Sequence, residues 1–260
     1  MNPDILIRAL PVPKAAAGEP APAASPDFKD KDRAKDGCYD GTCGCASDGT
    51  RGGNGNHGNR GQPGLTGNPA PTFALIVGRL LSDLVVTSQG GRGGEGGDGT
   101  DGTDGGDGQD AGRNNASCVS ALEGEEPHCR LATGGSGGDA GGGGDGGPGG
   151  NGGAGGSIHI SYRQPQGDST TGAVYQVHAA SYGGDVGPGG RPGKAGKPGI
   201  GGLNEEPPPS TEENSPATRV PPRQESGAPA TDGSPGPNGK LPGRVGQIQV
   251  HVVQPTGSSV

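Results

Sequence analysis

Five aspartates recur at every third position, at Asp98, Asp101, Asp104, Asp107 and Asp110. In a three-residue repeat they line one face at intervals of about 9 Å. Two of them cannot then grip one Ca²⁺, whose ligands lie at about 2.3–2.6 Å. The stretch GGDGTDGTDGG also lacks the apolar position of the calcium-binding nonapeptide repeat. The ladder therefore reads as a solvated acidic face.

The five cysteines fall in two groups, Cys38, Cys43 and Cys45 in CYDGTCGC and Cys118 and Cys129 in CVSALEGEEPHC. An odd count rules out complete intramolecular pairing. In an oxidising compartment, Cys118 with Cys129 and two of the first three would staple loops that have little core. The other reading is a zinc site made by the clustered cysteines with His57 or His128, although C-x₄-C-x-C is not a standard ligand spacing. Disulfides are the favoured reading. His159, His178 and His251 each sit within a β-like stretch. Three rings suffice for a metal, but no carboxylate or cysteine accompanies them at fixed spacing, so they read as isolated histidines. No Ser–Asp–His set, HExxH or phosphate-cradling loop after a strand is present. The expectation is a chain that is not an enzyme and that carries no cofactor and no metal.

The elements that must position these groups are glycine runs. Glycine supplies 61 of 260 residues and proline 26, while hydrophobic residues reach only 26%, too few for an ordinary core at this length. Glycine returns every third residue over 49–67, 90–108, 135–156 and 184–202, and a weaker run with one slip covers 233–246. A period of three belongs to the polyproline-II conformation and leaves one face without side chains, so that another backbone can approach. Seven triplets would span about 65 Å at 3.1 Å per residue.

The 135–156 run is richest in Gly-Gly-X and is expected at the centre. Gly135, Gly138, Gly141, Gly144, Gly147, Gly150, Gly153 and Gly156 are its candidate packing positions. The 184–202 run, with its prolines and bulkier residues, is expected further out. Between the runs lie β-like stretches within 1–10, 72–89, 157–182 and 247–254, which alternate or are rich in β-branched residues. If each run spans the molecule once, odd-numbered runs arrive at the β-rich end and even-numbered runs leave it. The loops 11–48, 113–134 and 203–226 then gather at the far end.

The expected fold class is an antiparallel bundle of about five polyproline-II or polyglycine-II helices, capped at one end by a small β-sheet or β-sandwich, with essentially no α-helix. By runs such as GGDAGGGGDGGPGGNGGAGG, the chain resembles the polyglycine-II bundle proteins, which include the snow flea antifreeze protein and phage tail-fibre adhesin tips. The resemblance implies layered antiparallel glycine helices joined by backbone hydrogen bonds. It covers the runs, collagen-like in their repeat, and neither the strands nor the loops.

The formal charge of −8 disfavours nonspecific nucleic-acid binding. No apolar stretch reaches membrane-spanning length, and no signal peptide is evident. The functional expectation is a structural, self-associating protein, the subunit of a filament, coat or appendage, extracellular or surface-associated. The alternative is an adhesin or tail-fibre tip whose distal loops bind a cell-surface receptor or glycan. An antifreeze role ranks below both, because the aspartate ladder spoils a weakly charged face.

Overall fold

The computed structural model describes residues 4–28, 33–37, 44–78, 80–115, 129–163, 175–206 and 222–253. Six strands form: β1 (Asp4–Arg8), β2 (Phe73–Val77), β3 (Leu84–Gln89), β4 (Ile158–Arg163), β5 (Val177–Tyr182) and β6 (Ile248–Val253). Each is short and alternates apolar and polar residues or is β-branched, as a strand with one buried face requires. They pair as two separate three-stranded sheets, β1-β3-β5 and β2-β4-β6, and every pair is parallel.

The expected bundle of glycine helices with one small sheet cap is corrected by this arrangement. Among the described residues there is no helix, and the regular secondary structure is the two parallel sheets. The reason lies in where the hydrogen bonds go. The glycine runs are extended segments, and their backbone hydrogen bonds go to other segments, as those of neighbouring strands do.

The bonding pattern sorts the segments into two layers. A leading segment (9–28) bonds to run 2 (90–108) through Ala15 N–H to the Glu95 carbonyl at 3.0 Å, and run 2 bonds to run 4 (184–202) through Gly96 to Pro188 at 3.0 Å. In the second layer, run 1 (49–67) bonds to run 3 (135–156) through Gly55 to Asp139 at 2.7 Å. Run 3 then bonds to run 5 through Gly146 to Ser234 at 2.9 Å. Neighbours within a layer are parallel. Between layers the direction reverses, as in Gly97 to Gln62, Gly147 to Gly97 and Gly190 to Gly147, each at 2.8 Å.

The sheets continue these layers. β1, β3 and β5 lead into the first layer, and β2, β4 and β6 follow the second. Strands adjacent in sequence, such as β2 and β3, therefore part to opposite sheets. A strand's partner arrives only after the chain has run out and back, in the same direction, so pairing is parallel. Residues 11–28 and 33–37, expected within a far-end loop, instead lie along run 2 and its continuation.

The sheets pack face to face over Leu80, Leu84, Val86, Ile158 and Ile160, with Phe73, Leu75, Tyr175 and Val177 around them. Two buried serines join this core to the runs. Ser88 Oγ accepts from Gly156 N–H at 3.0 Å, and Ser181 Oγ–H donates to the Gly156 carbonyl at 2.8 Å.

Candidate functional site

The aspartate ladder is a hydrogen-bond rack. Asp98, Asp101, Asp104, Asp107 and Asp110 each present Oδ1 to a backbone N–H of run 4 and its continuation. The donors are Arg191 (2.9 Å), Lys194 (2.7 Å), Lys197 (2.6 Å), Ile200 (2.7 Å) and Leu203 (2.7 Å). The chemistry follows from the triplet. In run 4 the glycine N–H is taken by run 3, as in Gly193 to Gly144 at 2.8 Å. The next N–H needs a different acceptor, and a carboxylate one residue-length away in the parallel neighbour supplies it. Run 3 repeats the device at a spacing of six, where Asp139, Asp145 and Asn151 accept from Ala228, Ser234 and Lys240.

Lys14 clamps the leading segment onto this rack, with Nζ 2.9 Å from both Glu95 and Asp98. The Asp98 side chain pulls its pKa above the usual lysine value. Among the described residues, three carboxyls lie below the usual range. Asp98 is lowered first by the Arg191 N–H and then by Lys14, Asp139 by the Ala228 N–H and Arg51, and Asp48 by the Thr133 N–H and Arg130. A carboxyl whose pKa is lower folded than unfolded contributes stability above its unfolded value of about 3.9. That contribution disappears as pH falls through the folded value. The thermal midpoint is therefore expected to stay level near neutrality and fall steeply below about pH 4. Asp98→Asn keeps the acceptor oxygen and removes one titration, so its acid limb should be shallower. Superimposable wild-type and variant profiles would refute the assignment.

The candidate glycines of run 3 all face one neighbour. A Cβ built on Gly135, Gly138, Gly141, Gly144, Gly147, Gly150, Gly153 or Gly156 would strike the carbonyls of Thr50, Gly53, Asn56, Asn59, Gln62, Leu65, Asn68 and Pro71 in turn. A second row, including Gly137, Gly143, Gly146, Gly149 and Gly152, meets run 4. Run 3 bonds to runs 1, 2, 4 and 5.

At the end opposite the sheets, Cys45 is bonded to Cys129. This corrects the expected Cys118–Cys129 pair. Run 1 and run 3 are parallel neighbours in which Gly49 bonds to Thr133, an offset equal to the 84 residues separating the two cysteines. The bridge thus joins equivalent positions of adjacent segments. Cys38, Cys43, Cys118 and His128 lie outside the described residues. His57, offered as a zinc partner, uses Nδ1 to accept from Gly142 N–H at 3.0 Å.

Sequence reasoning missed the polar knot beside the bridge. Glu205 accepts from the Asn114 backbone and side chain and, at 2.8 Å, from Ala132 N–H, while Asn114 Oδ1 accepts from Ala46 N–H at 2.7 Å. Asp48 accepts from Thr133 at 2.9 Å and pairs with Arg130. No spacing rule marks these residues, because their segments meet only through the layers.

The three histidines do not converge. His159 pairs with Gln249 at 3.0 Å, and His251 lies opposite Ser161 in the same sheet, but His178 lies opposite Val85 in the other. Among the described residues, no group of three or more His, Cys, Asp or Glu is arranged to hold a metal.

No protein-family model and no curated protein matches the chain. Among solved structures, a springtail antifreeze protein from Granisotoma rainieri, described as a nine polyproline type II helical bundle, aligns at 23% identity over 79% of this chain and 98% of its own. The TM-score is 0.12, which carries no argument about fold or function.

Several of the exposed large apolar residues lie at the sheet end. All six residues of β6 are exposed, including Ile248, Val250 and Val252 at 41–42%. Those three share a face with Ile158, Ile160 and Tyr162. Ile76 on the β2 edge is 86% exposed. No helix among the described residues is long and apolar enough to cross a membrane.

Proposed function

We propose that the chain is a structural protein, the subunit of a filament, coat or appendage, acting outside the cell or at its surface. The observation that supports this most is the backbone-on-backbone interior. Run 3 turns rows of glycines without side chains towards runs 1 and 4, and one row of its glycine N–H groups bonds to carbonyls of run 2 at 2.8–2.9 Å. Such contacts yield stiffness, because neither segment can slide without breaking a row of bonds. The Cys45–Cys129 bridge agrees with an oxidising compartment, and the exposed β6 edge agrees with self-association.

Negative-stain microscopy of the purified full chain tests the proposal. Regular multimers, joined end to end or in pairs, are the expected result. Single particles at every concentration, with no higher species in sedimentation, would overturn it.

A further inference from the structure

We propose that β6 is a self-pairing edge, which binds β6 of a second copy antiparallel across a two-fold axis through Val250. The inference rests on the self-association reading above and names the surface that performs it.

The open sides of the two layers are not alike along their length. Within a layer, the N–H two residues after a glycine donates to the next segment, as Ala140 does to Ala228 at 2.9 Å and Gly96 to Pro188 at 3.0 Å. On run 4 four of the six corresponding positions are already closed. Pro192 and Pro198 have no N–H, Gly189 donates to Asn238 Oδ1 at 3.2 Å, and Ala195 donates to Asp232 Oδ1 at 2.7 Å. On run 5 and the stretch just before it, two of them are Pro235 and Pro229. Proline on an edge blocks further pairing. Lengthwise, side-by-side addition of a second copy is therefore disfavoured, and two chains of net charge −8 would also repel along their whole length.

β6 carries none of these devices. IQVHVV has no proline, no lysine and no carboxylate. The Ile158 N–H donates to the Gln247 carbonyl at 2.8 Å, so odd-numbered residues of this strand turn their backbone groups towards β4. Alternation then points the N–H and C=O of Ile248, Val250 and Val252 outward. The apolar side chains of the same three residues are also half-exposed, whereas Phe73, Leu75 and Val77 on the β2 edge pack on the core.

Antiparallel pairing about Val250 satisfies these facts together. It sets Ile248 against the second copy's Val252 and His251 against the second copy's Gln249, with no like charges opposed. The two sheets become one of six strands. The charged runs point in opposite directions, so their closed edges never meet.

Sedimentation equilibrium on the full chain, with Val250→Lys, Val250→Glu and their equimolar mixture, tests the contact. The wild type is expected to dimerise. Each variant alone should dimerise at least about tenfold more weakly, because like charges face each other at the axis. The mixture should recover a dimer, since Lys then faces Glu. Ile76→Lys on the β2 edge should leave dimerisation unchanged. Circular dichroism and thermal midpoints close to wild type verify that the variants are folded. A wild type that associates while Val250→Lys does so equally well, or a mixture that fails to recover, would overturn the β6 contact and leave self-association standing. A wild type that stays monomeric would overturn both.

Discussion

Alanine at Gly150 is expected to cost about 3 kcal/mol or more, enough to abolish folding of a marginal domain. The added methyl would lie 2.6 Å from the carbonyl carbon of Leu65 and closer still to its oxygen. That carbonyl is not free to retreat, because it accepts the Gly94 N–H at 2.7 Å, and Gly64 beside it donates to Pro148 at 2.8 Å. Gly150 itself donates to Gly94 and accepts from Gly187, both at 2.8 Å. Moving run 1 outward therefore breaks bonds in two layers at once, each worth about 1 kcal/mol net. Two other glycines set the scale. At Gly142 the obstacle is the His57 ring, a side chain that can swing away at the loss of one hydrogen bond. At Gly78 nothing lies within 4 Å, and alanine there should be neutral or slightly stabilising through the unfolded state. Urea unfolding of the three variants should rank them Gly150, Gly142, Gly78 in decreasing loss. An alanine at Gly150 as stable as one at Gly78 would show that backbone contact does not hold the layers.

The strands were legible because their signal is local. Alternation in SIHISY and QIQVHVV, and β-branched content in FALIV and LVVT, mark stretches that need one buried face. β5 begins at Val177, a few residues later than the alternation starting at Val174 suggests. The pairing was not legible. Neighbouring strands in sequence invite a hairpin, and nothing within LIVGRLLSDLVV announces that its halves belong to opposite sheets. The expectation of helices failed for a related reason. A three-residue glycine period dictates extended backbone with a bare face, but which segments lie beside it, and in which direction they run, is decided by the neighbours. The aspartate ladder shows the same limit. Its spacing argued against a calcium grip by adjacent carboxylates but could not name the partners, which are backbone N–H groups about 93 residues away and carry no residue type to recognise. Asn114 and Glu205 were invisible on that account too.

One long-range relation did leave a trace, and it supports the second large effect. Reducing the Cys45–Cys129 bridge, or replacing Cys129 by serine, is expected to cost about 3–4 kcal/mol and to lower the thermal midpoint by several degrees. The separation of 84 residues makes the closed loop long, which raises the entropy returned to the unfolded chain. The folded side loses little, because the same end is held by Glu205 on Asn114 and Ala132 and by Asp48 on Thr133. The damage should therefore be graded along the layers. Amides at Ala46, Gly49 and Ala132, next to the bridge, should lose hydrogen-exchange protection first, while Gly150 and Ile160 near the sheets keep theirs. The register makes this specific. Because run 1 and run 3 run parallel at the offset that also separates the two cysteines, the bridge continues the ladder of Gly49 to Thr133 and Gly52 to Ser136 by a covalent rung. Removing it should fray that ladder from the cysteine end. Uniform loss of protection over both ends, or an unchanged midpoint in reductant, would instead mean that the bridge lies across segments already held rigid without it.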